Sequence, residues 1–549
     1  MTKQVRRGIV VFLASAGLAA CGGTGTGTDA DASMGDDVPD GEVAGDDGLA
    51  RRFPDGFRFG VATAAHQVEG GQANAWTEFE TLPLYAGITA HPSGLATDFY
   101  HRYAEDFDLA RDLGMDVFRL SLEWSRVEPV KGTWDEAEIA HYRDVFQAMG
   151  ARGLRPSVTL HHFSEPTWWL GLSTLTAPVE ESFCQDGPTD DAFCGWTNPE
   201  APAVFARFCA RMAQEYGGQV DEWMTFNEPQ AHWMGSTVTG DFPPGLTVPL
   251  VGATVADLKR FSVPVMRGIL AGHAACYRAL HANDTVDADG DGVACRVGLA
   301  TGTGAIRPAD PAKPADVEAA KQSEWVATFL FFDAVVSGRL DSDFDMVPDE
   351  DHPDWAGTMD LLGLQYYAAT EVIGLKINEL LWGVPCLNMD DDFLTELELS
   401  EGCHPPPTQD FPLGDGENPR VFGRQNDPEG LLEVLELLHD RYPSLPLVIT
   451  ENGFADDADK RARSIVRHLD VCARAVEAGI PLEGYYHWSL TDNFEWGRGV
   501  AVRFGLYAVD FDGDLARSPT SAVEPYRRIA RARGIPADLL ESHGGTGPL

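Results

Sequence analysis

Short runs of β-branched, aromatic and aliphatic residues alternate along the chain with stretches whose apolar positions recur every three or four residues. Eight runs read as strands: 58–64, 117–124, 155–163, 222–229, 296–302, 360–367, 445–453 and 482–490. Between them, Ile139, Tyr142, Val145, Phe146 and Met149 keep helical spacing, as do Val204, Phe205, Phe208 and Met212. Pro199 opens one helix, Asp427-Pro428 precedes another, and Gly150, Gly153, Gly217 and Gly479 fall at helix ends. Eight strand–helix units in series predict an α/β chain closed into a (β/α)8 barrel. Function then belongs at the carboxyl ends of the strands. An open doubly wound sheet is the competing arrangement, but no Gly-rich phosphate loop follows the first strand.

Segments 171–198 and 369–425 are longer than simple connections require and carry Gly, Pro, Asp and Cys with little periodicity. Loops of that kind at the C-terminal face of a barrel shape a cleft. One such barrel, over 51–540, accounts for most of the 549 residues. The N-terminus reads differently. Lys3, Arg6 and Arg7 precede an apolar run, Ile9 to Leu18, too short to span a bilayer. Leu18-Ala19-Ala20-Cys21 resembles the lipobox of bacterial lipoproteins, which implies a signal peptide over 1–20 and lipidation of Cys21. Gly22 after it favours the outer membrane; without lipidation the protein would be periplasmic or secreted. Residues 21–50 are rich in Gly, Thr and Asp and hold no aromatic residue, as suits a flexible acidic tether.

Eight cysteines remain besides Cys21. In an exported protein they are free to pair. Cys184–Cys194 and Cys386–Cys403 are candidate bridges within loops, Cys276–Cys295 is a further guess, and Cys209 and Cys472 read as buried thiols on helices. Charge narrows the partners: 41 Lys and Arg against 85 Asp and Glu leave −44. That field disfavours nucleic acid and anionic lipid surfaces, confines membrane contact to the lipid anchor, and suits a neutral or cationic small substrate.

Two strand ends deliver a glutamate to the barrel mouth. The fourth run ends Thr225-Phe226-Asn227-Glu228-Pro229 and the seventh Ile449-Thr450-Glu451-Asn452-Gly453. A half-buried carboxylate is costly unless paired or used. Two facing one substrate are what glycoside cleavage needs: one carboxyl protonates the leaving oxygen, the other attacks or activates water. With Phe57 to Gly70 (FRFGVATAAHQVEG) and Trp488-Ser489-Leu490-Thr491-Asp492-Asn493-Phe494-Glu495-Trp496, these motifs make residues 51–535 resemble the family 1 glycoside hydrolases, the β-glucosidase family.

That resemblance implies a retaining β-glycosidase, most simply a β-glucosidase, acting on terminal β-linked sugars without a cofactor or metal. By the same resemblance Glu228 is the general acid/base and Glu451 the nucleophile, with Arg119 and Tyr367 beside Glu451. Gln67, Glu495, His162, Trp496 and Asn227 would then bind sugar hydroxyls, and Trp488 would stack under the ring. A transglycosylase shares every one of these residues, and a non-catalytic sugar-binding lipoprotein would be expected to have lost a glutamate. Two positions depart from the family pattern: Phe163 stands where Trp is usual and Gln365 where Asn is usual. Asp287, Asp289 and Asp291 alternate as in a calcium loop, but Gly298 replaces the twelfth-position glutamate, so a solvated acidic turn is the expectation. His101, His273 and His468 lie in helical stretches without metal-ligand spacing.

Overall fold

The computed structural model describes residues 48–82, 92–170, 193–245, 254–376, 380, 382–385, 408–413, 420–425, 427–455 and 458–545. Cys21, the expected leader and nearly all of the tether, Cys184, Cys386, Cys403 and large parts of segments 171–198 and 369–425 lie outside the described residues. Eight parallel strands close a barrel in chain order: β1 (Arg58–Ala62), β2 (Val117–Ser121), β3 (Arg155–His161), β4 (Glu222–Asn227), β5 (Arg296–Thr303), β6 (Leu361–Tyr366), β7 (Leu447–Asn452) and β8 (Leu482–Trp488). β8 pairs back onto β1. The barrel is the architecture that the alternating pattern predicts.

Alternation along each strand divides the core in two. Val117, Met224, Ala300, Leu361, Val448 and Tyr486 fill the barrel interior. Phe118, Leu120, Trp223, Leu362, Leu364 and Ile449 face outward into the layer of helices. Each fully buried aliphatic or aromatic side chain of this kind contributes about 1.5–3 kcal/mol. The helices present matching stripes. α1 (Phe99–Leu113) stops at Gly114, whose φ of 88° is left-handed. α2 (Glu136–Gly150) is capped by Asp135 and buries the predicted Ile139, Tyr142, Val145, Phe146 and Met149. α3 (Ala201–Tyr216) buries Val204, Phe205, Phe208 and Met212, also as its spacing predicts.

β4 and β7, which lead to the motif glutamates, break strict alternation. Met224 and Asn227 both face inward although three residues separate them, and the register of β4 against β5 shifts between those positions. Likewise Val448 and Glu451 both face inward, and β7 shifts against β8 between Ile449 and Asn452. One extra residue in each strand is a β-bulge, which re-aims the side chains beyond it. Several expected runs also outlast their strands: Glu228 and Pro229 follow β4, and His162 and Phe163 follow β3. These residues leave the ladder at the barrel mouth. At the opposite end, strand Leu49–Arg52 pairs antiparallel with Gly534–Pro536, and Arg533 Nη1 bonds Asp116, just ahead of β2, at 2.6 Å.

The cysteine expectations need correction. Cys209 on α3 is bonded to Cys276 on α5 (Val263–Asn283), with Cα atoms 5.5 Å apart. Cys209 is therefore no free thiol, and Cys276 does not pair with Cys295, which is buried and free like Cys472. The helices after β3 and β4 pack side by side, a contact that sequence spacing does not reveal. Cys194 is disulfide-bonded as well. In the acidic turn, backbone N–H groups of Ala288, Asp289, Gly290 and Gly292 bond the oxygens of Asp221 and Asp287 at 2.7–3.0 Å, and Arg155 pairs with Asp289. His273 bonds Thr225 Oγ1 and the Thr358 carbonyl, His468 bonds the Ser464 carbonyl, and His101 stands exposed beside Asp98. Replacing Cys209 and Cys276 together by Ser is expected to destabilise the fold by about 2–4 kcal/mol. A lowered denaturant midpoint, reproduced by reducing the wild-type protein, is the measurement.

Candidate active site

Arg119 is wholly buried at the inner face of β2. A guanidinium stays charged, so its burial demands an anion. Glu451 supplies it: Arg119 Nη1 pairs with Glu451 Oε1. The same oxygen accepts from Gln365 Nε2 at 2.8 Å, and Glu451 Oε2 accepts from the Tyr367 hydroxyl at 2.6 Å. Burial holds the Glu451 carboxyl above its ordinary pKa, and Arg119 and Tyr367 offset only part of that rise. Tyr367 itself is held as a phenol by its burial and by Glu451.

Arg119 also reaches β4, the strand that leads to Glu228. Its Nη2 donates to Asn227 Oδ1 at 2.6 Å, and Gln365 Nε2 donates to the same oxygen. Its carbonyl oxygen is thus taken twice. Glu228 follows, buried, with a left-handed φ of 39° and its N–H bonded to the Ala300 carbonyl at 2.7 Å. Its carboxylate lies against Gly302, where a Cβ would come within 2.1 Å of Glu228 Oε1. Any side chain there would displace the Glu228 carboxyl from this position. The charges of Glu451, Glu228 and Glu495 all act on Tyr367, so the three carboxyl groups share one site.

The remaining predicted residues gather around this pair. Gln67 Nε2 donates to Asn493 Oδ1, to the Phe494 carbonyl and, at 3.4 Å, to Glu495 Oε2. Trp488 Nε1 donates to Glu495 Oε1 at 3.1 Å. The loop holding Glu495 is tied down by Asp492, which accepts from the backbone N–H of Gly505 and from Arg503. The His162 ring lies parallel to those of Trp488 and Trp496, with centroids 6.1 and 6.2 Å away. Burial and then Arg119 hold its pKa well below the ordinary histidine value, so it meets a ligand as a neutral ring. Trp496 stacks on His66 at 5.2 Å and meets Phe163 edge-on at 5.3 Å.

Arg119, Gln67, His162, Asn227, Glu228, Tyr367, Glu451, Trp488, Glu495 and Trp496 are thus brought together at one mouth. Sequence reasoning undervalued Gln365, noted there only as a departure from pattern. Its inward parity two residues before Tyr367 was the available signal. It also missed the buried trio His161, Glu165 and His232 beneath the site, whose ligating atoms lie within 4.8 Å of one another.

An eight-stranded parallel barrel with two buried glutamates and a ring of polar and aromatic side chains at its mouth fits a glycoside-cleaving enzyme. The chain belongs to glycosyl hydrolase family 1, whose model matches residues 49–171 and 188–535. A β-galactosidase from Pyrococcus woesei is 29% identical over 89% of this chain and 99% of its own. Among solved structures, a β-glycosidase from Pyrococcus horikoshii is 27% identical with a TM-score of 0.71, covering 90% of this chain and 98% of that one. A rice β-glucosidase mutant solved in covalent complex with glucose is 25% identical with a TM-score of 0.70, covering 86% and 98%.

Tyr367→Phe removes the donor to Glu451 Oε2. A hydrogen bond to a charged group is worth about 1.5–3 kcal/mol, so kcat/KM on an aryl β-glycoside is expected to fall about 10- to 100-fold. The ionised carboxylate loses stabilisation, its pKa rises, and the acidic limb of the pH–kcat/KM profile moves to higher pH.

Proposed function

We propose that this protein is a retaining β-glycosidase that prefers β-glucosides and releases the terminal non-reducing sugar. The observation that carries this reading is Glu451, buried yet bound on both oxygens by Arg119, Gln365 and Tyr367. Those donors favour the ionised carboxylate, the form that attacks an anomeric carbon. Glu228 protonates the departing oxygen as Glu451 forms the glycosyl ester. Esterification removes the Glu451 charge, and Glu228, now a carboxylate, takes a proton from the water that cleaves the ester. Asn227, its carbonyl fixed by Arg119 and Gln365, offers its amide to the 2-hydroxyl. Gln67 and Glu495 take the hydroxyls remote from the leaving group, His162 and Trp496 those near the 3-position, and Trp488 stacks beneath the ring.

The glucose held covalently by the rice relative supports a glucoside, whereas the Pyrococcus woesei relative is named for galactosides. The two sugars differ at the 4-hydroxyl, on the side assigned to Gln67 and Glu495.

We further propose that the enzyme is exported and held to the cell envelope through lipid on Cys21. The lipobox-like run supports this, as does the Cys209–Cys276 bridge, which suits an oxidising compartment. The described chain begins beside Gly534–Pro536, at the barrel end away from the mouth, so an anchor leading from it leaves the cleft open to solvent.

Glu451→Ala and Glu228→Ala are each expected to lose nearly all activity on a panel of nitrophenyl β-glycosides. Azide should restore turnover of activated substrates to Glu228→Ala, giving the β-glycosyl azide, and NMR should show the β-anomer as the first product of the wild type. Normal turnover by either variant overturns the assignment. Cys21→Ala should move the protein from the membrane fraction to the soluble one.

A further inference from the structure

Beneath the sugar site, one oxygen of Glu165 accepts three hydrogen bonds. His161 Nε2 lies 3.0 Å from Glu165 Oε1, His232 Nε2 3.1 Å and Trp196 Nε1 3.2 Å, and all four side chains are buried. Burial alone would raise the Glu165 carboxyl, but His232 and His161 draw it down to about 2, and burial holds His161 below the ordinary histidine value. An ionised carboxylate can only accept, so both imidazoles donate from Nε2. A metal ion could bridge the same three ligating atoms. Each histidine would then ligate through Nε2 and carry its proton on Nδ1, where an acceptor is needed. Neither Nδ1 has a hydrogen-bond partner among the described residues. The cluster is a hydrogen-bonded clamp.

What the clamp holds is the helix that starts at the acid/base glutamate. His232 belongs to α4 (Pro229–Met234), and its backbone N–H donates to the Glu228 carbonyl at 2.9 Å. Glu228 itself is held in a left-handed conformation, which a residue with a Cβ adopts only under constraint. Gln230 Nε2 pins the same turn to the Gly302 carbonyl at 2.7 Å. Through Glu165, His232 is tied to His161 at the end of β3 and to Trp196 in the turn Gly195–Thr197.

We infer that Glu165 is a positioning residue for Glu228, acting through His232 to fix the turn from which the acid/base carboxyl projects. The inference rests on Glu228 being the acid/base. Loss of the clamp leaves the nucleophile and its three donors untouched but misaims the proton donor. The deficit therefore appears only where bond cleavage needs that proton.

The experiment compares kcat/KM on a 2,4-dinitrophenyl β-glucoside, whose leaving group departs unprotonated, with that on an alkyl β-glucoside, whose leaving group needs the acid. For Glu165→Leu the alkyl value should fall about 10- to 100-fold and the dinitrophenyl value by less than about threefold, against the 10²–10⁴ that general acid catalysis supplies in full. Glu165→Gln, which keeps one carbonyl acceptor, should recover much of the alkyl rate, and His232→Phe should reproduce the leaving-group-selective loss. If Glu165→Leu does not fold, the latter two variants carry the same comparison. Parallel losses on both substrates, or an unchanged alkyl rate, overturn the inference. A wild-type enzyme inert on both would instead overturn the glycosidase reading beneath it.

Discussion

A guanidinium shut away from water dictates the layout of this site. Arg119 cannot give up its proton, and its two terminal nitrogens reach Glu451 on one side and Asn227 on the other. Removing one partner of such a buried pair costs about 3–5 kcal/mol, because the other charge is left uncompensated. The pairing therefore fixes two things at once: the position of the Glu451 carboxyl and the orientation of the amide beside Glu228. Gln365 closes the triangle by donating to both. Its extra methylene, relative to the asparagine usual in the family, still lets one amide nitrogen span Glu451 and Asn227.

The polypeptide reaches this triangle by violating its own periodicity. Had β4 and β7 alternated strictly from Met224 and Val448, Asn227 and Glu451 would point outward into the helix layer, away from Arg119. One bulge in each strand reverses the parity just before the functional side chain. Gly302 then leaves the volume that the Glu228 carboxylate occupies. Barrel closure supplies a rigid frame, and the irregularities at its rim supply the aim.

This division explains what could be read from the chain alone. The eight runs and the helical stripes on α2 and α3 follow local rules of pattern and spacing, and the fold could be read from them, whereas the candidate site residues came from motifs that resemble those of the family. The bulges could not, because a two-residue period counted through Val448 to Glu451 gives the wrong face. Nor could the Cys209–Cys276 bridge or the Glu165 clamp, which join residues far apart in the chain through the packing of neighbouring units. Glu165 is the sharper case: counted from Val158 and Leu160, strand alternation would point His161 inward and His162 outward, yet His161 meets Phe205 and Phe226 in the outer layer and His162 lies beside Trp488 and Trp496.

Replacement of the usual tryptophan by Phe163 shows how the sugar pocket absorbs a lost donor. The Phe163 carbonyl accepts from Trp76 Nε1 at 2.8 Å, and its ring packs against Phe242 and Trp496 at 4.9 and 5.3 Å. The wall stays aromatic, closed by Trp76, Phe79, Phe163, Phe242 and Trp496. Shape and stacking survive there, but a directional N–H does not. Under the proposed function, discrimination among epimeric sugars rests more heavily on the polar fork of Gln67, Glu495 and the Trp488 indole. That fork is assembled from the first and last βα loops, held together by Gln67 bonding to Asn493 and to the Phe494 carbonyl. The closure of the barrel between β8 and β1 thus bears directly on which sugar is accepted.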